Sequence, residues 1–167
     1  KEDPVWTIST RSINYLDGPK NVVIKGIKLK IKEIPIFYFP YVRTALGNER
    51  MSGFLTPGLN QTRNGVDISL PYYFNLAENY DLVLSPRHIS SRGSGFVSNF
   101  RYLNSKFTGE FNISGLSDDK RYKRESGKED SRWSASWQNE AVFSQNFYSN
   151  INFQSTSDEY FFRDIGN

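Results

Sequence analysis

The chain has 167 residues, no cysteine, and a formal net charge of +3 from 21 Lys and Arg against 18 Asp and Glu. Disulfides, thiolate-bound metals and a thiol nucleophile are therefore excluded within it, and the charge balance is too even to point to nucleic acid. No apolar run approaches the roughly 20 residues that a membrane helix needs.

Aromatic residues make up 16% although hydrophobic residues total only 37%, and the mean hydropathy is −0.59. Few aliphatics with many Phe and Tyr suit a surface that is apolar on one side and wet on the other. The start, Lys1-Glu2-Asp3-Pro4, carries no basic-plus-apolar leader pattern. The chain reads as a segment of a longer protein.

Residues 1–42 predict short strands. "VWTIST", "SINYL" and "NVVIK" are β-branched or aromatic runs, the last two separated by the turn formers of "DGPK". In "GIKLKIKEI" Ile27, Leu29 and Ile31 share one face while Lys28, Lys30 and Lys32 share the other. "IKEIPIFYFPYVRT" then places Pro35 and Pro40 in an apolar run. A central strand does not carry two residues that cannot donate to a ladder, so one unit is expected to end here and another to begin. Residues 43–64 are rich in turn formers, lack periodicity, and are read as a connection.

From residue 65 to 167 the alternation lengthens. "VDISLPYYF" sets Val66, Ile68, Leu70, Tyr72 and Phe74 against Asp67, Ser69, Pro71 and Tyr73. "YDLVLSPRH", "FVSNFRYL", "FTGEFNIS", "RWSASWQN" and "FYSNINFQ" repeat the pattern, apolar or aromatic on one face and polar on the other. These are about six segments near the ~9–11 residues of a transmembrane β-strand. An outer-membrane barrel has this alternation. A soluble β-sandwich has it too, with strands nearer 5–6 residues. Bacterial barrels start at about eight strands, so the closing strands are expected beyond Asn167.

Little here predicts chemistry. His88 is the only histidine, which leaves no Ser/His/Asp triad to assemble. "SDDKRYKRESGKED" interleaves Asp118, Asp119, Glu125, Glu129 and Asp130 with Lys and Arg. It reads as a solvated loop rather than a cation site, because the spacing of a calcium loop is missing. "SSRGSGF" lacks a phosphate-cradling pattern. No enzyme, cofactor or metal site is expected. Pro71 and Pro86 fall inside the first two long strands, and each removes a backbone donor. They are either tolerated edge prolines or a deliberate weakening of one strand pair.

"IPIFYFPY" at 34–41, "MSGFLTP" at 51–57, "LPYYFNLAENYDLVLSP" at 70–86, "RG" at 92–93, "FRYL" at 100–103 and "SDEYFFRD" at 157–164 occur in the order of a known family. The series resembles the LptD family of lipopolysaccharide-assembly proteins, also called organic solvent tolerance proteins, of Gram-negative outer membranes. The resemblance implies a periplasmic β-jellyroll ending near residue 42, then a connection, then the first strands of a large outer-membrane barrel plugged by the lipoprotein LptE. It implies that lipopolysaccharide arrives over an LptA bridge, with acyl chains inside the jellyroll, and leaves sideways into the outer-membrane lipid between the first and last barrel strands. Under that resemblance Pro71 and Pro86 weaken the lateral gate, and Ile27, Leu29 and Ile31 touch acyl chains. With a periplasmic N-terminal part, strand parity puts the turn "NLAEN" outside and the charged loop at 116–130 on the periplasmic side.

Overall fold

A computed structural model describes residues 6–16, 21–31, 34–45, 50–127 and 130–165, and strands dominate them. They fall into two compact units, Lys1–Gly53 and Phe54–Asn167.

The first unit holds β1 (Trp6–Ser9), β2 (Ser12–Leu16), β3 (Asn21–Ile31) and β4 (Ile34–Ala45). β1 and β2 pair with β3 in one continuous register, Ser9 opposite Lys28 and Ser12 opposite Lys25. They are one strand interrupted at Thr10 and Arg11. Opposite the break lies Gly26 with φ 65°, a left-handed conformation that a side chain would resist. The other edge of β3 carries β4. "IPIFYFPY" opens β4, the last strand lying wholly within the first unit, so both prolines lie inside a strand. Both prolines are accommodated at irregularities. Pro35 stands where the register with β3 shifts, and Pro40 stands where Gly26 drops out of the ladder. Among the described strands β4 pairs only with β3, and an edge position is where a strand tolerates proline.

The second unit contains β5 (Gly53–Phe54), β6 (Gly58–Thr62), β7 (Gly65–Ser69), β8 (Tyr72–Ala77), β9 (Tyr80–Ile89), β10 (Gly93–Leu103), β11 (Phe107–Leu116), α1 (Lys120–Ser126), β12 (Arg132–Ser144), β13 (Phe147–Thr156) and α2 (Phe161–Ile165). β9 to β13 form an antiparallel meander, and β7 and β8 lie beside β9. The segment without periodicity thus supplies β5 and β6, and the single strand expected at 65–74 is two pieces.

Register shows how the two faces separate. Phe74, Leu82, Phe100, Phe111, Trp137 and Phe153 stand opposite one another across six strands. One residue over, Asn75, Asp81, Arg101, Glu110, Gln138 and Asn152 form a polar row on the other face. The polar face is cross-linked: Arg101 Nε donates to Asp81 Oδ1 at 2.9 Å, and Asn99 Nδ2 donates to Asn112 Oδ1 at 2.6 Å. On the apolar face Phe96, Phe111, Trp133 and Phe153 stay exposed. Adjacent residues of opposite polarity must point to opposite sides of a sheet, so the alternation in the sequence becomes this segregation directly.

Candidate functional site

The structure brings Pro71 and Pro86 together. β7 and β8 meet β9 in one unbroken register, Ser69 opposite Arg87 and then Tyr72 opposite Leu84. In the gap between them Leu70 faces Pro86 and Pro71 faces Ser85. The Leu70 N–H donates to the Pro86 carbonyl at 3.0 Å. A close antiparallel pair exchanges two such bonds, and the second would need an N–H that Pro86 lacks. On the opposite edge the Leu55 N–H donates to the Pro71 carbonyl at 2.9 Å, and again proline has no N–H to return. The two residues between β7 and β8 are therefore each held by half of a close pair, one bond toward β9 and one away from it. Each missing bond forgoes about 0.5–1.5 kcal/mol of net stabilisation.

Ile27, Leu29 and Ile31 lie on β3 in the first unit. Ile27 stands opposite Phe39, Leu29 opposite Ile8 and Phe37, and Ile31 opposite Trp6 and Ile34. Ile27 and Leu29 are half-buried; Lys28 is exposed and Lys30 is half-buried. Lys32 and the side chain of Ile31 lie outside the described residues.

A third constellation escaped the sequence reading. At one end of the second sheet, the Arg132 side chain is fully buried and ties three carboxylates. Its Nη2 and Nε donate to Asp158 at 2.7 and 2.8 Å, and its Nη1 donates to Asp119 at 3.0 Å and to Asp164 at 3.2 Å. Arg92 Nη1 donates to the same Asp119 oxygen at 2.9 Å. Asp119 in turn caps α1 by accepting from the Tyr122 N–H at 3.0 Å. The Arg132 guanidinium lies 4.1 Å from the centre of the Tyr122 ring. α2 closes over this layer, and Phe161 and Ile165 bury with Ile89 and Leu116. Arg87 holds Asp67 at 2.6 Å, and Asn64 Nδ2 donates to the Asp164 carbonyl at 2.6 Å. Asp67, Arg87, Ile89, Leu116 and Arg132 all belong to the polar-face register. The two short helices thus cover one end of that face.

Gly93 permits the closure. Its φ is 144°, and a Cβ there would collide with the Asp118 carbonyl oxygen. The solvated-loop reading of 116–130 is corrected for Asp119, which is 0% exposed. It stands for Glu125, which is exposed and paired with Arg121, while Glu129 lies outside the described residues. The loop docks beside the β9–β10 turn, where the Lys120 N–H donates to the Arg92 carbonyl at 2.8 Å. It is therefore at the opposite end of the sheet from the "NLAEN" turn, as strand parity requires.

Charge decides the protonation of this end. The bonds from Arg132 hold the Asp158 carboxyl below the usual carboxylate range against the opposing pull of burial, and Ser157 adds to the effect. Burial pushes Asp164 up, but the bond from Arg163 and the charges of Arg92, Arg163 and Arg132 outweigh it and leave Asp164 lowered. The cluster is an ion-paired lock. His88 Nδ1 lies 2.8 Å from Ser94 Oγ, yet no carboxylate among the described residues orients the ring, and both residues are exposed.

The signals for the lock were in the sequence without their meaning. "RG" holds Arg92 and Gly93, and "SDEYFFRD" holds Asp158, Phe161 and Asp164. Asp119 is 27 residues from Arg92, and Arg132 is 26 residues from Asp158, separations that no local pattern bridges. The distinction between buried Phe161 and exposed Phe162 likewise needs the fold.

These features define a class before a family: an all-β protein of antiparallel sheets, one of which keeps apolar and polar side chains on opposite faces. Residues 18–165 match the family model described as LptD protein. The chain is 39% identical over 164 residues to the LPS-assembly protein LptD of Bordetella pertussis strain Tohama I, covering 97% of this chain and 20% of that protein. It is 34% identical over 176 residues to the LPS-assembly protein LptD of Legionella pneumophila strain Lens, covering 98% and 21%. It is also 34% identical over 166 residues to that of Ectopseudomonas mendocina strain ymp, covering 98% and 18%. The chain belongs to the LptD family, and it spans about a fifth of the length of these relatives.

Proposed function

We propose that this chain takes part in delivering lipopolysaccharide to the outer leaflet of the outer membrane. In this reading the first unit is the last part of a periplasmic jellyroll that receives the glycolipid from an LptA bridge. The second unit begins an outer-membrane barrel that holds an LptE plug. The apolar face of β8 to β13 meets lipid, the polar face lines a wet lumen, and the seam beside β7 and β8 opens sideways to release the glycolipid. Ile27, Leu29 and Ile31 supply an apolar track for acyl chains. The family membership supports the cargo. The observation that carries the opening seam is the pair of half-made bonds at Leu70–Pro86 and Leu55–Pro71, because a stretch that makes only half of a close pair on each edge separates from a neighbour more easily.

The test uses the complete protein in cells. Restoring both donors with Pro71→Ala and Pro86→Ala is expected to slow the arrival of newly made lipopolysaccharide at the cell surface while protein level and folding stay unchanged. Unchanged delivery would remove the seam from the mechanism. A photo-crosslinking residue at Leu29 is expected to capture lipopolysaccharide, and one at exposed Lys28 is not. Equal capture at both would argue against an acyl track on this face, and capture at neither would turn the reading toward a general porin or receptor.

A further inference from the structure

The helices that close the polar face leave a cavity of about 310 Å³ among Arg63, Asn64, Arg92, Arg121, Glu125, Arg163 and Asp164. Four guanidinium groups face two carboxylates. The surplus is not spread evenly. Arg121 is paired with Glu125 at 2.8 Å, and Arg163 is paired with Asp164 at 3.0 Å. Arg63 makes no ion pair among the described residues.

Arg92 is the telling member. Its residue is 3% exposed, its Nη1 is committed to Asp119, and its Nη2 stands 3.7 Å from Asp164. Its Nε is buried with no hydrogen-bond partner among the described residues. A buried charged donor left unpaired is costly, and structures retain few of them. Here the unpaired Nε is itself closed off from solvent, so Arg92 contributes the charge of its guanidinium, rather than that donor, to the concave, arginine-rich space it lines. Guanidinium groups suit tetrahedral oxyanions because their forked donors match two oxygens at once.

We propose that this cavity binds a phosphate group, with Arg63 and Arg163 as its outer donors and Arg92 at its buried wall. Resting on the transport reading, the phosphate is one carried on the sugars of the passing glycolipid, held briefly at one end of the polar face. The volume exceeds what a bare phosphate fills, leaving space for the sugar that carries it. Exposed Tyr160 stacks with the Arg163 guanidinium, 4.3 Å from ring centre to charge, which holds that outer donor in place.

The experiment uses the complete purified protein with its partner lipoprotein in detergent. Three probes are titrated: inorganic pyrophosphate, a bisphosphorylated lipid A, and the same lipid A enzymatically stripped of phosphate. Arg63→Gln is the test variant, since Arg63 lies outside the buried lock, and Arg63→Lys keeps the charge without the fork. Pyrophosphate and phosphorylated lipid are expected to bind the native protein, with about a tenfold loss in Arg63→Gln, the scale of one charge-assisted bond, and partial recovery in Arg63→Lys. Stripped lipid is expected to be indifferent to the variant. Pyrophosphate binding that responds to Arg63 without any lipid binding keeps the phosphate site and removes the transport reading beneath it. Identical affinities of native and Arg63→Gln protein for both phosphate probes would overturn the site.

Discussion

Two neighbouring stretches of the first long strand pair are built on opposite principles. At Leu70 and Pro71 the backbone is held by half of its possible bonds, with no side-chain ion pair across the gap among the described residues. A few residues away Arg87 clamps Asp67, and beyond it Arg92 and Arg132 tie Asp119, Asp158 and Asp164 together under Phe161. One region is stitched loosely by removing donors; the other is over-tied by charge in a buried layer. The contrast teaches that the sheet is not uniformly stable. Its loose point is bordered by a buried, ion-paired cluster. Local opening free energies do differ in this way within single proteins.

The sharpest way to break that contrast is at the lock. Arg132→Ala leaves three carboxylates without their shared cation in a buried layer, and the expected loss is about 3–5 kcal/mol, read by denaturant unfolding of the complete protein. A loss under about 1 kcal/mol would mean that the cluster behaves like a surface ion pair. Gly93→Ala tests whether the loop closes over the sheet as tightly as the geometry demands. The Cβ would meet the Asp118 carbonyl at a φ that disfavours side chains, costing about 1–3 kcal/mol and exposing 117–131 to protease. Resistance equal to the native protein would show that the loop stands further from β10.

At the loose point the expected effect is smaller and opposite in sign. Pro86→Ala supplies an N–H facing the Leu70 carbonyl, worth about 0.5–1.5 kcal/mol. The more flexible unfolded chain offsets part of it, by about 0.4–1 kcal/mol. Amide exchange checks this: the new N–H at position 86 is expected to be protected, and exchange at Leu70 to slow. Faster exchange at Leu70 would mean that Pro86 stiffens the seam instead.

The mildest test is acid. Asp158 and Asp164 have lowered pKa values when folded. Their contribution is present above the unfolded carboxylate value of about 3.9 and is lost as pH falls through the lower folded values. Amide protection of α2 is therefore expected to persist down to about pH 4 and to decline below it. A midpoint near pH 6 would assign the loss to some other group.

Much of this was legible beforehand because strand alternation is a local property. The separation of Phe100, Phe111 and Trp137 from Arg101, Glu110 and Gln138 follows from spacing alone, and so does the placing of the 116–130 loop at the end away from "NLAEN". Pro71 and Pro86 could be singled out because a missing donor is written in the residue type. The strand through Pro35 and Pro40 was not legible. Whether a proline is tolerated depends on whether its nitrogen faces a neighbour, and on irregularities such as Gly26 in the opposing strand. Asp119 was misread for a related reason: in a mixed-charge run, nothing local distinguishes the one carboxylate that two distant arginines bury.

By itself, then, the sequence determined the all-β class, the two faces of the long strands and the family, since each depends on residue type and order. Tertiary structure alone decided that Leu70 faces Pro86, that β4 pairs with β3 alone among the described strands, and that Arg92, Asp119, Arg132, Asp158 and Asp164 converge. The physical reason is that burial, pairing direction and charge neutralisation belong to neighbours in space, and those neighbours are brought together only when the meander folds.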